Sequence, residues 1–126
     1  MKGNYQEAVK YFEKKDYHSA QLILLSLVEK QPDNSDILYF LAVLKSKIGE
    51  FNSAIPFFRK VIELKNNHTE AYYNLALCLQ NLGKNEDALT YYQKALELNP
   101  FLSEAYNKPR LLYASMYSGF NSIAFL

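Results

Sequence analysis

The side chains best suited to covalent or metal chemistry in this sequence are His18, His68 and Cys78. Imidazole suits proton transfer or zinc binding, and a thiolate suits nucleophilic attack or zinc. Each task needs a second group at a fixed spacing: paired Cys or His for a metal, a base beside a nucleophile for catalysis. No such spacing occurs here. The two histidines stand far apart and near turns, and both read as surface residues. Cys78 sits among apolar residues in YYNLALCLQ, where a small buried hydrophobe is the expected role. No Gly-rich phosphate loop exists, and carboxylates such as Glu63 and Glu97 read as solvated charge on outer helix faces. The chain is not read as an enzyme, and no cofactor or metal is expected. What remains is aromatic: 11 Tyr and 8 Phe with no Trp. Tyrosine offers a large rigid face and a hydroxyl that can stay wet, which is the chemistry of binding surfaces.

These tyrosines are periodic. Tyr5, Tyr39 and Tyr73 recur at 34 residues, and many other positions share that period. Ala8, Ala42 and Ala76 form one column, and Ala20, Ala54 and Ala88 another. Leu24, Phe58 and Tyr92 align, as do Leu27, Val61 and Ala95, Gly49 with Gly83, and Pro32 with Pro100. A period of this length marks a repeat architecture. Within a unit, Tyr72, Leu75, Ala76 and Leu79 carry the i, i+3, i+4, i+7 spacing of a helix. Gly83 ends that helix in a left-handed conformation. A second helix runs through Ala88, Leu89, Tyr92, Ala95 and Leu96 to Pro100, which cannot continue it comfortably. Ser35, Thr69 and Ser103 are the expected N-caps, with Asp36, Glu70 and Glu104 following at the positive ends of the helix dipoles.

The sequence resembles the tetratricopeptide repeat family. Tyr72, Leu75, Ala76, Gly83, Ala88, Tyr92 and Pro100 meet its pattern. Leu38, Leu41, Ala42, Gly49, Ala54 and Phe58 meet most of it, with Asn66 in the Pro position. In the first unit Ala8, Tyr11, Tyr17, Ala20, Leu24 and Pro32 match, while Asn4, Glu7 and Lys15 depart from it. The expected fold is an all-α solenoid of about three helix-turn-helix units plus a C-terminal capping helix. The units are residues 1–34, 35–68 and 69–102, with the cap helix at 103–118 in one domain, 1–118, and an apolar tail at 119–126. A helix pair cannot bury its own apolar face, and about three pairs make a stable stack. The first helix is expected from about Asn4 to Lys14, on a stripe of Ala8, Tyr11 and Phe12. In the fourth unit Pro109 replaces the expected Leu, so the cap helix is expected to restart near Asn107.

The bulk properties bound the partner. A net charge of +1 without a basic block argues against nucleic acid. The longest apolar run, Ile37 to Leu44, is too short for a membrane helix of about 20 residues. With one cysteine and no signal-like N-terminus, the chain reads as cytoplasmic.

The resemblance implies a protein- or peptide-binding scaffold or adaptor whose first helices line a concave surface. It places Tyr5, Tyr39 and Tyr73 in one concave column, Val9, Val43 and Leu77 in the next, and Phe12, Ser46 and Gln80 in a third. The expected groove residues are Tyr5, Val9, Phe12, Tyr39, Val43, Tyr73 and Leu77. Groove exposure is expected for the tyrosines, whereas Val43 and Leu77 fit a groove or an inter-unit core equally. Three helices about 10 Å apart give a stripe of roughly 20 Å. That accommodates an extended peptide of about six residues or a helix of about thirteen, apolar or amphipathic. Family members that clamp acidic chaperone tails use Lys, Asn and Arg at positions occupied here by Tyr5, Val9, Phe40, Glu70 and Asn74, so an acidic ligand is disfavoured. Two alternatives stand beside this reading. One is self-association through the C-terminal helix or tail. The other is a fragment of a larger repeat protein such as a glycosyltransferase arm.

Overall fold

A computed structural model describes residues 3–102 of the chain. It contains six helices and, among the described residues, no strand: α1 (Tyr5–Glu13), α2 (Tyr17–Lys30), α3 (Ser35–Lys47), α4 (Phe51–Leu64), α5 (Thr69–Asn81) and α6 (Asn85–Leu98). The pairs α1/α2, α3/α4 and α5/α6 stack through α2 on α3 and α4 on α5, and α3 also touches α5. This is the all-α solenoid that the period demanded. The expected cap helix at 103–118 and the tail at 119–126 lie outside the described residues. No described helix is long and apolar enough to cross a membrane.

The columns explain the stacking. Ala8, Ala20, Ala42, Ala54, Ala76 and Ala88 are all fully buried, because only a small side chain fits where helix backbones approach to about 8–10 Å. Leu24, Phe58 and Tyr92 fill the space so defined and are also fully buried. Two core clusters result, one built on α1 to α3 and one on α3 to α6, with Val28 and Phe57 packed against both.

The turns repeat as faithfully as the core. The amides of Lys15, Gly49 and Gly83 bond the carbonyls of Phe12, Ser46 and Gln80. Those of Asp16, Glu50 and Lys84 reach back to Tyr11, Lys45 and Leu79. Together these are the two bonds of a Schellman ending, which requires a left-handed residue between them. Gly49 and Gly83 supply it at φ 83 and 79, and Lys15 supplies it at φ 64. A side chain in that region costs roughly 1–2 kcal/mol, partly offset by the greater unfolded-state freedom of glycine. Lys15→Gly is expected to stabilise the chain by about 0.5–1 kcal/mol in a urea titration. An unchanged or lowered midpoint would show that the first turn is not strained.

The caps fall one residue before the expected positions. The Asn34 side chain accepts from the amides of Asp36 and Ile37, and His68 Nδ1 accepts from the amide of Ala71 at 3.1 Å. Ser35 and Thr69 are already helical, so their hydroxyls cap nothing; Ser103 lies outside the described residues. His68 is therefore not a plain surface histidine. Its imidazole does at α5 what the Asn34 carboxamide does at α3.

The first helix is one turn shorter than its counterparts, with 9 residues against 13 in α3 and α5. Asn4 accepts from the Glu7 amide while Glu7 Oε1 accepts from the Asn4 amide, a capping box. The same two columns hold Leu38 and Leu41 in α3 and Tyr72 and Leu75 in α5, all buried. The departures of Asn4 and Glu7 from the repeat pattern thus start a helix in place of packing one.

Candidate functional site

The expected groove residues are carried by the first helices of the units: Tyr5, Val9 and Phe12 by α1, Tyr39 and Val43 by α3, and Tyr73 and Leu77 by α5. The run from Ile37 to Leu44 is not buried all round. Ile37, Leu38, Leu41, Ala42 and Leu44 face the core, whereas Tyr39, Phe40 and Val43 are half-buried. Phe40 centres an aromatic group: its ring lies 5.4 Å from Tyr5 and 5.3 Å from Phe12, both edge-on. Phe12 also packs on Tyr17 at 5.3 Å, and Val9 is half-buried.

The tyrosine column forms a seam between units. Tyr5 meets Phe40, and one unit later the Tyr39 hydroxyl accepts from Asn74 Nδ2 at 2.9 Å. The Tyr39 ring lies 4.6 Å from the imidazole of His68 and 5.9 Å from Phe58. Tyr73 packs on Tyr92 at 5.6 Å. Exposure falls along the column: Tyr5 is 38% exposed, Tyr39 half-buried and Tyr73 only 7% exposed. The exposure expected of all three thus holds at Tyr5, lessens at Tyr39 and is lost at Tyr73, because each ring is drawn against its neighbours.

Val43 and Leu77 are placed alike, one on α3 and one on α5. Each packs against the core while remaining half-buried, and together they flank an open depression of about 300 Å³ between α3 and α5. Phe51 adds to its apolar wall, and Ser46, Asn74 and Asn81 line its polar part. Each of these three side chains donates a hydrogen bond within the chain. Ser46 Oγ donates to the Ala42 carbonyl, Asn74 Nδ2 to the Glu70 carbonyl and Asn81 Nδ2 to the Leu77 carbonyl. Lys47 is the one charged residue of the lining. Cys78 lies at the base, 1% exposed, with its sulfur 3.2 Å from Ser46 Oγ. Burial pushes its thiol up and outweighs the opposing Ser46 hydrogen bond, so at neutral pH it is a thiol and not a nucleophilic thiolate. Among the described residues no group of three His, Cys, Asp or Glu could hold a metal ion.

A second depression, of about 420 Å³, opens where α1, α2 and α3 meet. Tyr5, Leu27 and Ile37 give it apolar walls, and Asn4, Gln31 and Asn34 give it amides. Asp36 is its one charged lining residue. Burial, then the Asp36 charge, pushes the Tyr5 phenol up. Sequence reasoning did not find this site, because its residues come from three helices and no single repeat column.

Tetratricopeptide repeat models match residues 35–68 and 69–102, together more than half of the chain. The chain belongs to the tetratricopeptide repeat family. Repeats of this kind serve protein–protein interaction. Among solved structures, the first tetratricopeptide domain of Spaghetti (RPAP3), bound to the HSP90 peptide SRMEEVD, is similar at 24% identity and a TM-score of 0.81, with 88% of each chain covered. MamA is similar at 26% identity and a TM-score of 0.84, over 99% of this chain and 72% of that one. The O-GlcNAc transferase of Thermobaculum terrenum, as a K341M mutant, is similar at 25% identity and a TM-score of 0.75, over 83% of this chain but 20% of that one. No curated protein matches the tetratricopeptide chain.

Proposed function

We propose that this tetratricopeptide chain binds a peptide or partner segment across its first helices, anchored between Val43 and Leu77. The supporting observation is the open depression between α3 and α5, which keeps both side chains half-exposed although each sits at a junction between units. Tyr5, Val9, Phe12 and Tyr39 extend the same surface toward α1, and Tyr73 acts as a rigid wall behind it. An apolar side chain of the partner displaces water from Val43, Leu77 and Phe51, at about 25 cal/mol per Å² of apolar surface covered. An extended peptide crossing the helices spans the surface with about six residues. The Asn74 amide is already committed to Tyr39 and Glu70, so it is poorly placed to serve a carboxylate. The peptide class seen on the Spaghetti domain is therefore not the one favoured here.

Peptide-display selection on the wild type and on Val43→Glu, both first shown to be folded by circular dichroism, tests the reading. The wild type is expected to enrich an apolar anchor that the variant loses. Enrichment indifferent to Val43, or none at all, would count against the groove.

A further inference from the structure

The polarity of α3 points to the chemistry of the partner. Asp36, Phe40, Val43 and Lys47 follow the i, i+4, i+7, i+11 spacing of one helix face. That face is acidic at its start, apolar in the middle and basic at its end. Among the described residues neither Asp36 nor Lys47 has an ion-pair partner. The Asn34 side chain caps α3 through the amides of Asp36 and Ile37, and the Asp36 carboxylate stands in the first turn at the positive end of the helix dipole. Asp36 also lines the depression between α1, α2 and α3.

We infer that this depression receives a lysine or arginine side chain of the same peptide that Val43 and Leu77 anchor; the inference rests on the groove reading above. The walls suit a long side chain with an apolar stem and a charged head. Leu27, Ile37 and the half-exposed Tyr5 ring cover methylenes, and Asp36 supplies the opposite charge. Gln31 Oε1 takes one hydrogen bond from Asn34 Nδ2 and keeps a second lone pair for a guanidinium or ammonium. The apolar walls distinguish this side chain from a small hydrated cation, which gains nothing from them. Lys47 carries the opposite sign and lines the depression between α3 and α5, so the basic residue belongs on the α1 side and the peptide has one favoured direction.

The spacing follows from the helix geometry. Asp36 and Val43 are separated by about 10 Å along α3 at roughly 1.5 Å per residue. One depression lies toward α5 and the other toward α1 and α2, which adds a step of about 10 Å across. The diagonal is about 14 Å, so the basic residue and the apolar anchor stand about four residues apart in an extended peptide.

The test is a display selection on the whole chain, comparing wild type with Asp36→Asn and Asp36→Lys. The wild type is expected to enrich Lys or Arg about four positions from the apolar anchor. Asp36→Asn should keep the anchor, lose the basic preference and bind a selected basic peptide about fivefold more weakly in fluorescence polarisation. Asp36→Lys should select against basic residues. Asp36→Asn keeps the side-chain shape, so it remains informative if the charge reversal disturbs α3. An apolar motif with no basic residue, or a basic preference that survives Asp36→Asn, overturns this inference and leaves the groove reading standing. An empty selection on the wild type overturns both. In that case a dimer in light scattering assigns the surface to a second copy.

Discussion

Phe58→Ala is expected to cost about 3–5 kcal/mol of unfolding free energy, read by urea titration with circular dichroism. Phe58 is fully buried in α4, the second helix of the central unit, and belongs to the larger core cluster. Truncation removes the transfer energy of the ring and leaves a cavity that the close-packed Ala54 and Ala76 positions cannot collapse to fill. A domain of this size has only about 5–15 kcal/mol in total. The position multiplies the loss. In a stack where each unit contacts only its neighbours, damage to the middle unit weakens two interfaces and damage to an end unit weakens one. The Tyr39 ring rests on Phe58 at 5.9 Å, and its hydroxyl bonds Asn74 in the next unit, so the seam between units loosens as well. Leu24→Ala, in the same column of the first unit, should therefore cost less and leave a broader transition. Equal costs for the two variants would count against a dependence on position in the stack.

The repeat columns made the fold legible because they are backbone requirements. An alanine where helices touch, a glycine where φ is positive and a bulky apolar residue between units recur whenever the same geometry recurs. Gly49 and Gly83 show the rule, and Lys15 shows its limit. The same turn with the same two hydrogen bonds forms at Lys15 without the glycine that announces it. The caps were misplaced by one residue because Ser35 and Thr69 are common cap types and histidine is not. The signal was present one column earlier, where Asn34 stands 34 residues before His68. The short first helix was legible too: Asn4 and Glu7 carry the three-residue spacing of a capping box.

Less of the candidate site could be read in this way. A column assigns a residue to a helix face but does not set how far its ring folds back onto its neighbours. Tyr5, Tyr39 and Tyr73 share one column and differ in burial because their partners differ: Phe40 for the first, Asn74 and His68 for the second, Tyr92 for the third. The depression beside Asp36 joins residues of α1, α2 and α3, and a one-dimensional pattern does not predict such a meeting.

Pro56→Ala is expected to stabilise the chain by about 1–3 kcal/mol. Pro56 lies inside α4 as its sixth residue, and the helix continues without a break from Phe51 to Leu64. A proline there has no amide for the Asn52 carbonyl, and its ring crowds that carbonyl. Nothing in its surroundings repays the loss, since Pro56 is exposed, as are Leu22 and Thr90 in the same column. Alanine restores the missing hydrogen bond at a position that makes no demand on side-chain shape. Against this, proline restricts the unfolded chain, which offsets about 0.4–1 kcal/mol of the gain. The helix term is larger, so the net sign is stabilising. The check is the urea midpoint of Pro56→Ala against wild type, with Thr90→Ala as a control at the equivalent exposed position of α6. A rise for Pro56→Ala well beyond that of the control is the expected result. A fall would mean that α4 needs the proline where it is.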